Sequence, residues 1–468
     1  MVKVFLTAGR KTKMKRFLGT SMGKAILFAE DIAGKDGSTF PGKFVTKLFP
    51  DYLATLSYPK DVIMVTGSSG KGSTTAIIAE LLRHSGKTVC HNLEGSNMLR
   101  GIASTMLKHV KNGGIPEDAI VLEVDERYLK VVTKYIHPSL IIVNNVTRDQ
   151  PPRQGHYDLV AAEIMKGVPE DTMLLVNGDD PITAAFRLKH ENTRTFGINR
   201  NDSSFTALPT AVKDCVYCPR CGKHFNYSFI HYGSVGGFSC PKCGFARENP
   251  DYAVTDVDEE DKEIQIGYEL TLPCETMLLF HIYNLCAAYA AADILGIAPE
   301  VTAEVLTGHK ISSKIYTKLE GKNRSFTSIS CKADNNATYN LAHSYTAHQP
   351  GKKVLVMGVR EISRRYEHFD LSWLYDLDME ILVRPEVEKV LCVGPYADDF
   401  ILRLKLAGFP EEKLMGAETM DALPAALKGT EGNVYGILNF DVVEPFLEEA
   451  EKIIKEDSDN QEIQSAEK

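Results

Sequence analysis

One stretch of sequence decides the fold: Asp61-Val-Ile-Met-Val-Thr-Gly-Ser-Ser-Gly-Lys-Gly-Ser-Thr-Thr75. Its first six residues have the composition of a buried strand. A turn rich in glycine and serine follows, and apolar residues then recur at helical spacing from Ser73 to His84. The order of strand, glycine turn and helix is typical of a phosphate-binding loop in a parallel α/β sheet.

The residues of this loop have the chemistry that a nucleotide requires. Gly67, Gly70 and Gly72 allow tight curvature and let amide groups approach phosphate oxygens, and the helix N-terminus adds partial positive charge. Lys71 is predicted to neutralise the β and γ phosphates of ATP, and either Ser73 or Thr74 to ligate Mg²⁺. The predicted phosphate contacts are Thr66, Gly67, Gly70, Lys71, Gly72, Ser73 and Thr74.

A carboxylate for the same Mg²⁺ is expected at the end of the strand Ala119–Val124. Ligands of open parallel sheets bind at the carboxyl ends of the strands, and Mg²⁺ usually recruits one or two carboxylates. Glu123 is the favoured ligand. The alternative role, capping the next helix, suits Asp125 or Glu126 better.

Four cysteines predict a structural zinc site. Cys218-Pro-Arg-Cys221 and Cys240-Pro-Lys-Cys243 are separated by 18 residues, a spacing that can place four thiolates around Zn²⁺ and leave no open position. Cys215 is expected to be a bystander. The aromatic residues expected to form a small core between the knuckles are Phe225, Tyr227, Phe229, Tyr232 and Phe238.

The remaining pattern predicts an α/β protein with two sheet domains. Strands alternate with helices on both sides of the cysteine segment, which implies right-handed crossovers and parallel sheets. The polar residues 251–266 are expected to lead from the cysteine segment back into helices, and the polar residues 309–323 to form a linker. We predict a basic helical segment at residues 1–58, a central ATP-binding domain at 59–310 with the zinc ribbon inserted at about 212–250, a smaller α/β domain at 311–450, and an acidic tail at 451–468 that frays into disorder.

Composition limits the function classes. The 468 residues are 44% hydrophobic and 25% charged with a net charge of -9, which excludes a disordered chain and argues against a general nucleic-acid binder. Residues 1–29 hold seven basic and no acidic residues, so this segment is either a solvated arm or a contact for an anionic membrane surface. No signal peptide follows, and the cysteine usage fits a reducing compartment, so we expect a cytoplasmic protein.

At this point the residues resemble a known family. The phosphate loop, Glu123-Val-Asp-Glu126 and His281-Ile-Tyr-Asn284 are similar to the Mur ligase superfamily. Within it, the four-cysteine ribbon and Asp370-Leu-Ser-Trp-Leu-Tyr-Asp-Leu-Asp378 resemble the MurT type, the synthetase subunits of lipid II isoglutaminyl synthase.

The resemblance implies a fold, a reaction and partners. A Mur-ligase-like central ATPase domain with an inserted zinc ribbon would precede a smaller C-terminal α/β domain. ATP would phosphorylate the D-glutamate α-carboxyl of the lipid II stem peptide, and ammonia from a GatD-type glutaminase would give D-isoglutamine. The cofactors are then ATP, Mg²⁺ and structural Zn²⁺. Lys71 becomes catalytic, Asn284 binds on the adenine side, and Asp370 completes the Cys-His triad of the partner.

Two alternatives stay open beside this interpretation. After its lysine, the loop Gly70-Lys-Gly-Ser73 is closer to folylpolyglutamate synthases, so the chain could be an ATP-dependent ligase that joins an amino acid to another carboxylate. The residues Ser312-Ser-Lys314 and Lys332-Ala-Asp-Asn-Asn-Ala-Thr338 depart from the family's linker and C-terminal loop. A nucleotide-binding scaffold without turnover is therefore the third possibility.

Overall fold

The computed structural model describes residues 2–34, 39–92, 96–148, 156–206, 215–361 and 370–466, with only the backbone of 2–11 and 459–466. The first three residues of the predicted ribbon insertion, 212–214, and the last two of the predicted tail lie outside the described residues.

A nine-stranded sheet forms the centre of the molecule. The strand order is β11-β10-β9-β6-β5-β4-β1-β3-β2, with β9 and the six strands beyond it parallel and the hairpin β9-β10-β11 antiparallel at one edge. The strands are β1 Asp61–Thr66, β2 Val89–His91, β3 Ala119–Glu123, β4 Leu140–Val143, β5 Met173–Asn177, β6 Thr193–Ile198, β9 Tyr252–Asp258, β10 Glu263–Ile266 and β11 Leu270–Pro273.

The antiparallel edge differs from the prediction, which treated residues 251–266 as a polar connection. Val254 is the buried residue of β9, and in β10 the buried Ile264 and Ile266 alternate with less buried polar residues. A strand with one solvated face has a mixed composition that resembles a loop.

Helices cover both faces of the central sheet because its strands send alternate side chains to opposite sides. Ile63 and Val65 pack under the helices Lys71–His84 and Leu279–Ile294, whereas Val62 and Met64 belong to the core on the other face. The helices attached to this sheet are Lys71–His84, Leu99–His109, Leu129–Val132, Tyr157–Met165, Pro181–Ala184, Leu279–Ile294 and Pro299–Gly308.

In the described part of the chain, two α-helices precede the sheet, Val2–Ile32 and Phe40–Leu48, and both contact the helix Leu99–His109. None of the helices described combines the length and the apolar content that a bilayer-spanning segment needs.

The cysteine segment folds as a small insertion between β6 and β9. Its hairpin consists of β7 Asn226–Tyr232 and β8 Val235–Ser239, paired antiparallel. The rings of Phe225, Phe238 and Phe245 pack together with centroids 5.2 to 6.1 Å apart. Tyr232, which we expected in this small core, instead packs against Tyr283 of the central domain at 6.2 Å, because it faces the other side of the hairpin.

A six-stranded sheet forms the second α/β unit, in the order β12-β13-β17-β14-β15-β16, with only β12 antiparallel to its neighbour. The strands are β12 Tyr316–Glu320, β13 Ser325–Cys331, β14 Lys353–Gly358, β15 Val387–Val393, β16 Leu414–Ala417 and β17 Asn433–Asn439. Its helices are Asn336–His348, Ala397–Ala407, Leu423–Leu427 and Phe440–Ala466. Strand β12 occupies part of the stretch 309–323 that we predicted to be a linker.

The expected fraying of the acidic tail is wrong for the described part of the chain, because the helix Phe440–Ala466 continues through it. Phe446 and Ala450 of this helix are buried, and Ile453 and Ile454 pack against the same core. A helix that is already anchored extends at little cost, since each further residue adds a hydrogen bond without a new nucleus.

Candidate active site and metal cluster

The loop after β1 has the backbone shape of a phosphate-binding turn. Gly67 and Gly70 have φ angles of +125° and +78°, and the helix begins at Lys71. A Cβ atom would lie 2.8 Å from the Asn145 carbonyl oxygen at Gly67 and 2.6 Å from Asn284 Oδ1 at Gly70. Both the conformation and the space therefore require glycine at these positions.

Two asparagines at the end of β4 hold the loop in place. The N–H of Ser69 donates to Asn145 Oδ1 at 2.9 Å, and the N–H of Ser68 donates to the Asn145 carbonyl oxygen at 3.0 Å. Asn144 Nδ2 donates to Thr74 Oγ1 at 3.0 Å. Sequence reasoning gave these asparagines no role, although two amides directly after a buried strand were a usable signal.

Lys71 lies beside the loop in an ion pair. Its Nζ is 2.7 Å from Glu126 Oε1 and also donates to the Gly67 carbonyl oxygen. We considered Glu126 and Asp125 as helix caps; Asp125 does accept the Arg127 N–H at 3.1 Å, but Glu126 is buried against Lys71. A carboxylate from the end of β3 therefore compensates the charge of the ammonium.

The two hydroxyls considered as Mg²⁺ ligands have different surroundings. Thr74 is buried, and its Oγ1 donates to Asn284 Oδ1 at 3.1 Å. Ser73 is half-buried and lines an adjacent cleft. Thr66, the last residue of β1, is also fully buried. Ser73 is thus the hydroxyl that faces the cleft, whereas Thr74 and Asn284 support the loop from within.

Glu123 lies at the N-terminus of the helix that carries Ser73. A Cβ at Gly72 would be 3.3 Å from Glu123 Oε2, and Asn97 Nδ2 donates to the other oxygen, Oε1, at 2.8 Å. Asn92 Oδ1 accepts the Glu123 N–H at 2.8 Å and fixes the strand end. The structure therefore brings Glu123, Gly72 and Ser73 together.

A cleft of about 490 Å³ opens beside the loop. The rings of His281 and His309 stack on one of its walls, 5.7 Å apart with planes at 24°. Burial and the neighbouring His309 lower the pKa of His281 to about 3, so its ring is neutral near pH 7. A flat wall of stacked rings next to a phosphate loop has the chemistry for stacking a heteroaromatic base. The cleft is lined by Gly70, Gly72, Ser73, Ala76, Phe280, His281, Asn284, His309, Lys310, Ile311, Ser312 and Ile315.

The second α/β unit reaches the phosphate loop directly. Asn335 caps the helix Asn336–His348 with its Oδ1, and its Nδ2 donates to the Ser68 carbonyl oxygen at 3.1 Å. Its neighbour Asp334 has a φ of +57°. Asn336 is buried, and among the described residues neither its Oδ1 nor its Nδ2 has a hydrogen-bond partner. A strained, polar turn of the C-terminal unit therefore borders the loop.

Asp370 lies elsewhere at the junction of the two units. It is half-exposed, and its Oδ1 accepts the Ser372 N–H at 2.8 Å, just before a short helical turn, Ser372–Asp376. Asp376 in this turn pairs with Arg148 of the central domain. Among the hydrogen bonds and ion pairs of the described residues, none joins Asp370 to Lys71.

The four predicted metal ligands form one cluster. The Sγ atoms of Cys218, Cys221, Cys240 and Cys243 all lie within 4.8 Å of one another. Cys215 is not part of this group, and its Sγ donates to the Tyr217 carbonyl oxygen at 3.4 Å.

The donor sets suit two different metal ions. Four converging thiolates match the soft, tetrahedral preference of Zn²⁺ and leave no position for substrate. The carboxylate of Glu123 and the hydroxyl of Ser73 are hard oxygen donors, which suit Mg²⁺. A thiolate cluster would serve stability, and an oxygen site beside the phosphate loop would serve a nucleotide.

Comparisons with known proteins agree with this geometry. Residues 65–292 match the family model of the Mur ligase middle domain, and residues 333–441 match that of the MurT ligase C-terminal region. The chain belongs to the MurT branch of the Mur ligase superfamily. Mur ligases are ATP-dependent, and this MurT-type chain is an enzyme of that class, a carbon–nitrogen ligase.

Relatives of this MurT-type chain match along nearly its whole length. The lipid II isoglutaminyl synthase (glutamine-hydrolyzing) subunit MurT of Staphylococcus aureus is 27% identical over 454 residues, covering 93% of this chain and 98% of the relative. The subunit of the same name from Streptococcus pneumoniae is 27% identical over 427 residues, covering 87% and 90%.

Solved structures show the Mur ligase fold. A pseudomurein peptide ligase type C from Methanothermus fervidus superposes with a TM-score of 0.67 at 19% identity, covering 86% of this chain and 81% of that one. The MurF ligase from Thermotoga maritima, in complex with ADP, gives 0.56 at 18% identity, covering 89% and 85%.

Proposed function

We propose that this chain is the ATP-dependent synthetase subunit of a lipid II isoglutaminyl synthase. The observation that carries the proposal is the match to MurT subunits over 93% of the chain, which includes both α/β units. A phosphate loop, a Mg²⁺-type donor pair and a C-terminal unit in contact with the loop are the parts that such a ligase requires.

The proposed reaction has two steps. A carboxylate oxygen of the D-glutamate residue attacks the γ-phosphorus of ATP, and ADP leaves with the electrons of the broken P–O bond. The nitrogen of ammonia then attacks the acyl carbon, phosphate leaves and a proton is lost, which yields the amide. Mg²⁺ would neutralise phosphate charge during the first step.

The residues of this chain take the following roles in the proposal. Lys71 offsets phosphate charge at the loop, and Glu126 positions its ammonium beforehand. Ser73 and Glu123 hold Mg²⁺. Contact between Asn335 and the loop keeps the two units together over the reaction centre, so that water is excluded from the acyl phosphate.

Asp370 is assigned a role toward the partner rather than toward ATP. We propose that a GatD-type glutamine amidotransferase supplies the ammonia and that Asp370 orients a histidine of its Cys-His pair. The half-exposed position of Asp370 leaves its carboxylate accessible to another protein. The same proposal places the enzyme in the cytoplasm, against the inner leaflet that presents its lipid-linked substrate.

A second candidate is a ligase that adds an amino acid. The loop residues Gly70-Lys-Gly-Ser73 favour it, because they match the folylpolyglutamate synthase pattern after the lysine. Supplying purified enzyme with ATP, lipid II and either ammonia or single amino acids separates the two. Product that contains an added amino acid would replace the first proposal.

The first test is Lys71→Ala. We expect loss of ATP turnover with unchanged zinc content, because the lysine and the cysteine cluster are separate sites. Lys60→Ala, at the exposed start of β1, is the matched control and should keep turnover. Full turnover in the Lys71 variant would contradict the role given to the loop.

The second test is Asp370→Asn in the complex with the glutaminase. We expect ammonia-dependent amidation to persist and glutamine-dependent amidation to fall, since only the latter needs the partner's histidine. Asp398→Asn, an exposed acid on the same unit, is the control. Equal loss of both activities would refute the role at the interface.

A further inference from the structure

The N-terminal helix Val2–Ile32 docks on the central domain by a face of small residues. A Cβ at Gly19 would lie 2.7 Å from the Tyr52 ring, and a Cβ at Gly23 would lie 2.5 Å from Leu107. Two glycines four residues apart share one side of a helix and permit this close approach. Arg16 strengthens the contact by donating to the Thr55 carbonyl oxygen at 3.3 Å.

The opposite face of this helix is apolar and exposed. Phe17, Phe28 and Ile32 are 69%, 67% and 73% exposed, and Met14 and Leu18 are 59% and 41% exposed. At 100° per residue these positions fall in one band of the helix, about half a turn away from Gly19 and Gly23. Burying large apolar side chains is favourable, so five of them exposed on one side of a helix indicate an interaction surface.

Positive charge flanks the apolar band. At the same angular spacing, Lys13 and Lys15 lie on its two sides, and both are exposed, with Lys15 Nζ 3.9 Å from the exposed Asp51. No acidic residue precedes Glu30 in the chain. Basic side chains beside exposed phenylalanine and leucine are the pattern of helices that lie in the plane of a membrane surface.

We propose that this helix binds the surface of an anionic lipid bilayer through its Met14, Phe17, Leu18, Phe28 and Ile32 face. The apolar side chains would enter the boundary between headgroups and acyl chains, and the flanking lysines would contact anionic headgroups. Lipid binding by this helix does not depend on the proposed function, which supplies only its purpose, access to a substrate anchored in the same bilayer.

Charge distinguishes this partner from a second copy of the chain. The helix Val2–Ile32 carries seven basic residues and only two acidic ones, Glu30 and Asp31, so a second identical helix would also be net positive and would repel it. An anionic bilayer offers both the apolar depth and the complementary charge.

The test uses the full chain and vesicles of phosphatidylcholine with about 30% phosphatidylglycerol, compared with pure phosphatidylcholine. We expect flotation with the anionic vesicles and weaker binding at high salt. Phe17→Ser and Phe28→Ser should each lower partitioning about tenfold, and Lys13→Gln and Lys15→Gln about fivefold each. Leu406→Ser and Lys428→Gln, exposed on the C-terminal unit, are the matched controls and should bind as the wild type does.

Two results would overturn the proposal: no binding of wild-type protein to anionic vesicles, or a wild-type dimer in sedimentation that Phe17→Ser converts to a monomer. Circular dichroism verifies that each variant is folded. ATP turnover with a soluble stem-peptide substrate, measured on the same variants, separates the two proposals. A helix variant that loses vesicle binding but keeps turnover shows that the helix acts in lipid binding and not in the reaction. Absent turnover in the wild type would contradict the proposed reaction and leave the lipid-binding proposal untouched.

Discussion

Replacing Glu126 by glutamine tests the central ion pair of the site. Lys71 Nζ lies 2.7 Å from Glu126 Oε1, and the two side chains are only 11% and 3% exposed. Removing one partner of a buried pair leaves an uncompensated charge, which typically costs about 3 to 5 kcal/mol. Glutamine can still accept a hydrogen bond from Lys71, so we expect a loss of about 2 to 4 kcal/mol in the free energy of unfolding.

The measurement is urea unfolding at pH 7.5, followed by far-ultraviolet circular dichroism. Fluorescence of Trp373, the single tryptophan, would report on the C-terminal unit instead. Asp61→Asn is the matched control. Asp61 pairs with Lys87 at the similar distance of 2.6 Å, but this pair is in contact with solvent, because the side chains of Lys87 and Asp61 are 33% and 26% exposed. A solvated pair contributes about 0 to 1 kcal/mol.

ATP with magnesium sharpens this test. In Glu126→Gln the phosphates of bound ATP would balance the charge of the Lys71 ammonium in place of the lost carboxylate. Saturating nucleotide should therefore raise the free energy of unfolding of this variant more than that of the wild type. The reasoning is refuted if the Glu126 and Asp61 variants lose equal stability. It is also refuted if nucleotide stabilises the wild type and the Glu126 variant to the same extent.

Three further predictions concern the loop, the cysteine cluster and acid stability. In Gly70→Ala, alanine must adopt a φ of +78°, and its Cβ would lie 2.6 Å from Asn284 Oδ1, so the affinity for ATP measured by titration calorimetry should fall. The control is Gly86→Ala, which has a similar strain, with φ at +87°, but no atom near its Cβ; its affinity for ATP should be unchanged. Cys240→Ser should lose zinc, measured by elemental analysis, and should unfold at a lower temperature than the wild type. Cys215→Ser should retain the metal, and equal zinc contents in the two variants would contradict the assignment of the four cysteines as ligands. Burial lowers the pKa of His343 to about 3, below its unfolded value near 6.5. The contribution of the neutral ring to the free energy of unfolding is therefore complete above pH 6.5 and is lost as the pH falls toward 3. At pH 5.5 the loss is about 1.4 kcal/mol. The free energy of unfolding, measured by urea titration, should differ between pH 7.5 and pH 5.5 by that much less in His343→Gln than in the wild type. An unchanged difference would disprove the assignment.

Local order in the sequence was enough to predict much of this protein. The strand Asp61–Thr66, the glycine turn and the helix after it are neighbours in the chain, so composition and spacing identify them without knowledge of the fold. The two cysteine knuckles are equally local, because the spacing of each pair already constrains its thiolates. The parallel architecture followed from alternating strands and helices.

Boundaries that depend on burial were predicted less well. The strands Tyr252–Asp258 and Glu263–Ile266 look polar because one of their faces is solvated. The acidic end of Phe440–Ala466 is helical because Phe446 and Ala450 anchor the part before it. In both cases a packed neighbour, invisible in the local sequence, supplies the stabilising free energy.

The sequence by itself determined the type of chemistry, since Gly70, Lys71 and Ser73 form one continuous loop. Only the tertiary structure decided which groups serve it. Lys71 and Glu126 are 55 positions apart, and Asn335 contacts Ser68 across 267 positions. Such contacts depend on which strand ends meet at one edge of a sheet and on how two folded units pack. Local propensity carries no information about either, because both are set by long-range burial of apolar surface.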